Sequence, residues 1–269
     1  MSSQLKKNLI VFLILLSSFL TLFISLNSGK KFENSLDLNH KIIDNNSNQK
    51  NKVSKNENFQ HNQEPTAMPT KPDSKNLPTF FINEAPFIPQ APFKIWDELH
   101  EEACEEAAIL TAYYFSKNKS DLKIETIEKE IQALVAFQIK TLGKHKDLNV
   151  SEIAKLAEDF YQLKLTVLDN PTIKQLKEII SEKKLILVPT AGQVLANPNY
   201  TAPGPLYHAI IIIGYDDGTG QFITHDPGTR NGEKYHYSYQ HLVDSIHDFP
   251  GKKENILQGA KRVLVTEPN

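Results

Sequence analysis

The chain contains one cysteine, Cys104. A lone thiol cannot close an intramolecular disulfide, so two uses remain: inert packing as a small apolar group, or nucleophilic attack. Attack needs a stabilised thiolate, and a helix N-terminus supplies unpaired N–H groups and a positive dipole end for it. Cys104 stands near the start of such a segment. From Glu101 to about Phe115, Ala103, Ala107, Leu110 and Tyr114 recur on one helical face. The base must come from elsewhere in the chain, and His208 stands directly before the apolar run Ala209 to Ile213. Asp226 follows the next such run, and Asp216-Asp217-Gly218-Thr219-Gly220 between them is a tight-turn signal, so the two runs should pair as a hairpin. That hairpin sets Asp226 beside His208, where it can fix the imidazole tautomer. Gln90, within Pro89-Gln90-Ala91-Pro92, can offer a side-chain amide to a developing oxyanion alongside the Cys104 N–H.

Other residues compete for attention. Glu101, Glu102, Glu105 and Glu106 flank the thiol, and their charges would oppose a thiolate if they faced it. Consecutive helical residues lie about 100° apart, so not all four can do so, and the expectation is that they complement the helix dipole on the solvent side. His100 and Cys104 are four apart, a spacing that can place two metal ligands on one helical face. No HExxH or CxxC accompanies them, and neither a metal nor a cofactor is expected. His225 adjoins Asp226, but strand alternation points the two to opposite faces. Tyr235, Tyr237 and Tyr239 alternate as core and cleft wall, and the proline-rich loop from Asn197 to Tyr207 should form another wall.

The elements that must position these groups follow from periodicity. Ile124, Ile127, Ile131 and Leu134 mark a second helix, and Asn149 followed by Glu152 caps a third before Ile153, Leu156, Ala157 and Phe160. A fourth should be capped by Asn170, with Pro171 in its first position. Strands are expected at Leu185 to Pro189, Ala209 to Tyr215, Gln221 to Thr224, Lys234 to Tyr239 and Arg262 to Thr266. Helices first and an antiparallel sheet afterwards make an α+β domain.

That domain should occupy residues 79–269. Residues 1–26 read as a signal-anchor or signal peptide, since Leu9 to Leu26 carries no charge and follows Lys6 and Lys7. Residues 27–78, rich in Asn, Lys, Ser and Gln and later in Pro, read as a disordered linker with a reach of roughly 40 Å. The expectation is a single-pass membrane protein with its C-terminal domain outside, or a secreted one if the N-terminal segment is cleaved. Net charge is only -2 with scattered basic residues, which gives no nucleic-acid footprint.

The stretches PFIPQAPFKIWDELHEEACEEAAILTAYYF, LANPNYTAPGPLYHAIIIIGYDDGTGQFITHDPGTRNGEKYHYSYQHLVDSI and KRVLVTE resemble the stand-alone C39-like peptidase family of cysteine peptidases. The resemblance implies a papain-like fold and metal-free, thiol-dependent acyl transfer, usually peptide-bond hydrolysis of a peptide or protein substrate by a monomer. It matches Gln90 to the oxyanion-hole glutamine, Cys104 to the nucleophile, His208 to the general base and Asp226 to the residue orienting that base. Relatives fused to peptide-exporting transporters cut leader peptides. This chain shows no ATP-binding domain or multi-span region, so leader cleavage is not implied. The alternatives are a catalytically silent peptide-binding module, a cell-wall amidase and a thiol acyltransferase.

Overall fold

The computed structural model describes residues 77–143 and 145–267. The expected membrane segment and all but the last two residues of the expected linker lie outside them. Among the described residues no helix is long and apolar enough to cross a membrane.

In chain order the elements are β1 (Phe80–Ile82), α1 (Glu98–Glu101), α2 (Cys104–Ser116), α3 (Ile124–Leu142), α4 (Val150–Tyr161), β2 (Leu165–Asp169), α5 (Ile173–Ser181), β3 (Ile186–Ala191), α6 (Gly192–Leu195), β4 (Tyr207–Asp216), β5 (Gln221–His225), β6 (Tyr235–Ser238), α7 (Tyr239–Ser245), a 3-10 turn (Lys253–Gln258) and β7 (Arg262–Thr266). The strands form one antiparallel sheet in the order β2-β7-β3-β4-β5-β6, and β1 pairs with β4 beyond the stretch that β3 covers. The fold is α+β.

Alternation along the central strands feeds two cores. Leu187, Ile211, Ile213 and Leu264 face Ala108, Ile109 and Ala112 of α2, while Ile186, Val188, Ile210, Ile212 and Val263 face Leu176 and Ile180 of α5 and Leu242 of α7. With both faces covered, β3 is buried at every position, which explains its unbroken apolar run. A bulge at Ile212/Gly214 inverts the parity. Tyr215 therefore lies on the α5 face, 2.8 Å from Ser181 Oγ. Helix α2 is wrapped on its other side by α3, whose Ile127, Ile131 and Val135 meet Ala103, Ala107 and Leu110. Burial of this helix all round fixes its first residue in place.

Three expectations need correction. The helix expected from Glu101 is two helices, α1 and α2, broken at Glu102 and Ala103. The cap of α5 is Thr172, whose side chain accepts from Gln175 N at 3.2 Å within a capping box; Asn170 adopts a left-handed φ of 47°. The strand expected to reach Tyr239 stops at Ser238, where α7 begins. Strands β1 and β2 and helices α6 and α7 had no clear periodic signal, being short or half exposed. By contrast, the Asn149/Glu152 capping box on α4 forms as read.

Candidate active site

Cys104 is the first residue of α2, and its N-cap, Ala103, offers no side-chain acceptor to the first turn. The N–H groups at this end are thus left for an incoming anion. Cys104 is 4% exposed and sits among Ala191, Tyr207, Ala209 and Ile256, with the Ala209 N–H also facing its sulfur. His208 is the second residue of β4, where β5 does not yet pair and one strand edge is open. Cys104, His208 and Gln90 line one cavity of about 900 Å³, together with Tyr200, Trp96 and Lys253.

His208 Nε2 lies 2.8 Å from Asp226 Oδ1. An ionised carboxylate only accepts, so Nε2 carries the proton and Nδ1 keeps the lone pair. The β4–β5 hairpin sets this neighbourhood, as its turn residues lead one to expect. Four further groups hold Asp226, and the sequence reading assigned none of them this role. Gly228 N donates to Oδ1 at 3.1 Å, and Tyr200 Oη (2.6 Å), Tyr237 Oη (2.7 Å) and Asn197 Nδ2 (2.9 Å) donate to Oδ2. Burial alone would raise the Asp226 pKa, but the attraction of His208, strongest when it is an imidazolium, and these donors win, and the carboxyl is held below its usual range. Burial first, then the Asp226 charge, pushes the Tyr200 and Tyr237 hydroxyls up, so they remain donors. The tyrosine alternation identified Tyr237 as a wall residue, but nothing in one sequence links it to Asp226.

At Gly228 the backbone also passes close to the imidazole. A Cβ at this position would lie 2.7 Å from His208 Cε1 and 3.0 Å from Nε2. Nothing in the sequence alone shows that the imidazole lies against this glycine.

Gln90 is buried, and its backbone N–H donates to Pro227 O at 3.1 Å, tying the N-terminal segment to the turn after Asp226. Its side-chain Nε2 donates to His100 O at 2.8 Å and more weakly to Glu101 O at 3.4 Å, and Oε1 is buried without a partner among the described residues. One strong bond leaves the second N–H only weakly committed. His100 itself bridges Asp97 (Nδ1, 2.7 Å) and Glu128 (Nε2, 3.1 Å), so both ring nitrogens are occupied. His225 faces away from Asp226, with Nε2 3.0 Å from Ala85 O and Nδ1 accepting from Lys234 N.

The acidic ring departs most from expectation. Glu105 and Glu106, expected on the solvent side, are each 1% exposed. The Cys104 thiol donates to Glu105 Oε2 at 3.0 Å rather than to His208, and Glu105 Oε1 accepts from Leu148 N at 2.8 Å. Burial first, then the Glu105 charge, pushes the thiol pKa well up. Burial, Glu106 and Asp147 do the same to Glu105. Glu102 is paired with Lys253 at 2.6 Å, and Lys253 also reaches Asp147 at 3.4 Å.

No curated protein matches the sequence. Among solved structures the chain is similar to a protein described as a C39-like peptidase from Bacillus anthracis, at 13% identity, with 72% of this chain and 96% of that chain covered and a TM-score of 0.42. It is also similar to UfSP from C. elegans, at 13% identity and a TM-score of 0.34, with 71% of this chain and 34% of that chain covered. It thus spans about a third of the length of UfSP. The sequence model of one family matches residues 82–249, a stretch that holds Gln90, Cys104, His208 and Asp226, and the chain belongs to the Peptidase_C39 like family.

Proposed function

We propose that the protein is a papain-like cysteine peptidase in which His208 Nδ1 takes the Cys104 proton, the thiolate attacks a peptide carbonyl, and water releases the acyl-enzyme. The observation that carries this reading is the 2.8 Å His208–Asp226 bond at the edge of the cavity that also contains Cys104. Asp226 holds the tautomer that leaves Nδ1 basic. The Cys104 N–H and the weakly committed second N–H of Gln90 receive the oxyanion. A peptide suits a cavity of about 900 Å³ walled by Tyr200, Pro205 and Tyr207 of the 197–207 loop and by Trp96. The uncharged run from Leu9 to Leu26 supports action outside a membrane.

Incubating the full chain with a quenched-fluorescence peptide library, and identifying products by mass spectrometry, tests this. Cleavage should be abolished in Cys104→Ala and in His208→Ala. Cleavage that survives loss of Cys104 would overturn the reading. The thiol's bond to Glu105 favours a second reading, a peptide-binding module without turnover. Peptides retained uncut by the wild-type chain would establish that second reading instead.

A further inference from the structure

The thiol sits at the head of a helix beside the candidate base, yet its hydrogen bond runs the other way. Cys104 Sγ donates to Glu105 Oε2 at 3.0 Å, and Glu105 cannot swing aside because its other oxygen is held by Leu148 N at 2.8 Å. Leu148 is in turn fixed from the sheet side, its carbonyl accepting from Tyr207 Oη at 3.0 Å. The carboxylate is therefore a rigid part of the core, not a mobile surface acid. His208 Nδ1 makes no hydrogen bond among the described residues, so a base with a lone pair and a thiol with a proton stand in one cavity without being bonded.

We propose that Glu105 is a positioning residue that holds Cys104 as a protonated thiol turned toward the interior, so that the nucleophile forms only when the sulfur leaves this carboxylate and passes its proton to His208 Nδ1. The inference rests on the reading of Cys104 and His208 as nucleophile and base. In that step the S–H bond breaks, the N–H bond forms on Nδ1, and a thiolate–imidazolium pair results with no change in net charge. Glu105 and a Cys104 thiolate cannot both be ionised while the sulfur stays beside the carboxyl group, since two negative charges would then share one buried site. The thiol is thereby also shielded from oxidants, which attack the thiolate form.

Other charged groups around the pair act in the same or the opposite direction. Glu106, on the same helix, and Asp147, from the loop before α4, add negative charge. His145 lies 3.6 Å from Glu106, and burial is outweighed by that carboxylate in raising its pKa. Lys253, from the 3-10 turn, offsets Glu102 and Asp147. From β4, Tyr207 is neutral because burial and Glu105 push its hydroxyl up, and His208 is the remaining titratable group. Asp248, which acts on Tyr207, accepts from Val150 N at 2.9 Å and is 3.8 Å from Arg262. Of these, Glu105 alone bonds the sulfur.

The test is the pH dependence of Cys104 alkylation by iodoacetamide in the wild type, Glu105→Gln, Glu106→Gln and His208→Ala. Gln at 105 can still accept from Leu148 N while offering its amide to the sulfur. Glu105→Gln should move the labelling midpoint down by at least one pH unit and speed labelling at neutral pH at least tenfold. Glu106→Gln should move it less. Equal shifts in the two glutamine variants, or no shift in Glu105→Gln, would overturn the proposal. If Glu105→Gln fails to fold, the infrared difference spectrum of the wild type against Cys104→Ala decides. A neutral-pH S–H stretching band shifted to the frequency of a strong donor supports the hold, and absence of any S–H band overturns it. Peptide turnover that is indifferent to His208→Ala would sink the underlying reading. A His208-dependent turnover with an unmoved labelling profile in Glu105→Gln would sink only this inference.

Discussion

At the residue scale, the candidate site depends on two close approaches. The first is Gly228 against the imidazole, where any Cβ would have to displace the His208 ring. Gly228→Ala should therefore lower kcat/KM by about 100-fold, since displacement of a reacting group by an ångström is enough for that. Its unfolding midpoint should change little by comparison, because the turn is at the surface of the cleft. Both can be read on one purified variant, by turnover of a cleaved peptide and by thermal unfolding. The second is the set of donors on Asp226. Asp226→Asn would present an amide N–H to Nε2 or to the two tyrosine hydroxyls and invert the tautomer, with an expected loss of roughly 10³ to 10⁴ in kcat. Asp147 gives a separate pH signature. Burial outweighs the attraction of Lys253 and, with the Glu102 charge, pushes its carboxyl up to about 6. The folded state then binds this proton more tightly than the unfolded chain, whose Asp titrates near pH ~3.9. Its contribution to stability is complete below the unfolded value and is lost as pH rises through the folded one. Thermal unfolding of wild type and Asp147→Asn from pH 4 to 7 should show the wild type falling relative to the variant up to about pH 6, and a constant difference above it.

At the scale of elements, caps and breaks decide where the chemistry is presented. Thr172, not Asn170, closes the first turn of α5, so Thr172→Ala should lower the unfolding free energy by about 1 kcal/mol. Asn170→Gly, at a φ of 47°, should leave denaturant unfolding unchanged within about 0.5 kcal/mol. The sequence placed both Asn170 and Thr172 before an apolar helical stripe, and only the backbone conformation distinguishes them. The same limit applies at α2. Its apolar periodicity was legible, but the break at Glu102 and Ala103 was not, because no Pro or Gly marks it. That break makes Cys104 the first residue of a helix and not one in its second turn. The β4–β5 hairpin was legible from its turn, and with it the nearness of His208 and Asp226. Strand β2 was not, since its half-exposed Leu-Thr-Val-Leu-Asp run has no turn partner and pairs instead with β7 near the far end of the chain. The buried glutamates were misread for a related reason. Charge in sequence suggests solvent, and only the α2–Leu148 packing shows the carboxylate of Glu105 turned inward.

For the whole molecule, both apolar cores draw their buried members from residues 85–264. A fragment beginning at residue 77 should therefore unfold in one cooperative transition, at the midpoint the full chain shows for its domain, as calorimetry can establish. Within that unit the order β2-β7-β3 has β7, the last strand, between two strands that precede it by tens of residues. Among the described residues β2 has no other strand neighbour, and β3 carries the hydrogen bonds that set β4 and its first residues, including Thr190 Oγ1 to His208 O at 2.9 Å. This has a consequence for timing. A growing polypeptide emerges N-terminus first, so α2 and its thiol are synthesised long before β7 can close the gap in the sheet. Until it does, β2 is unpaired and β3 keeps an open edge. The neighbourhood of Cys104, His208 and Asp226 is therefore completed only once β7 has been synthesised, long after Cys104 itself.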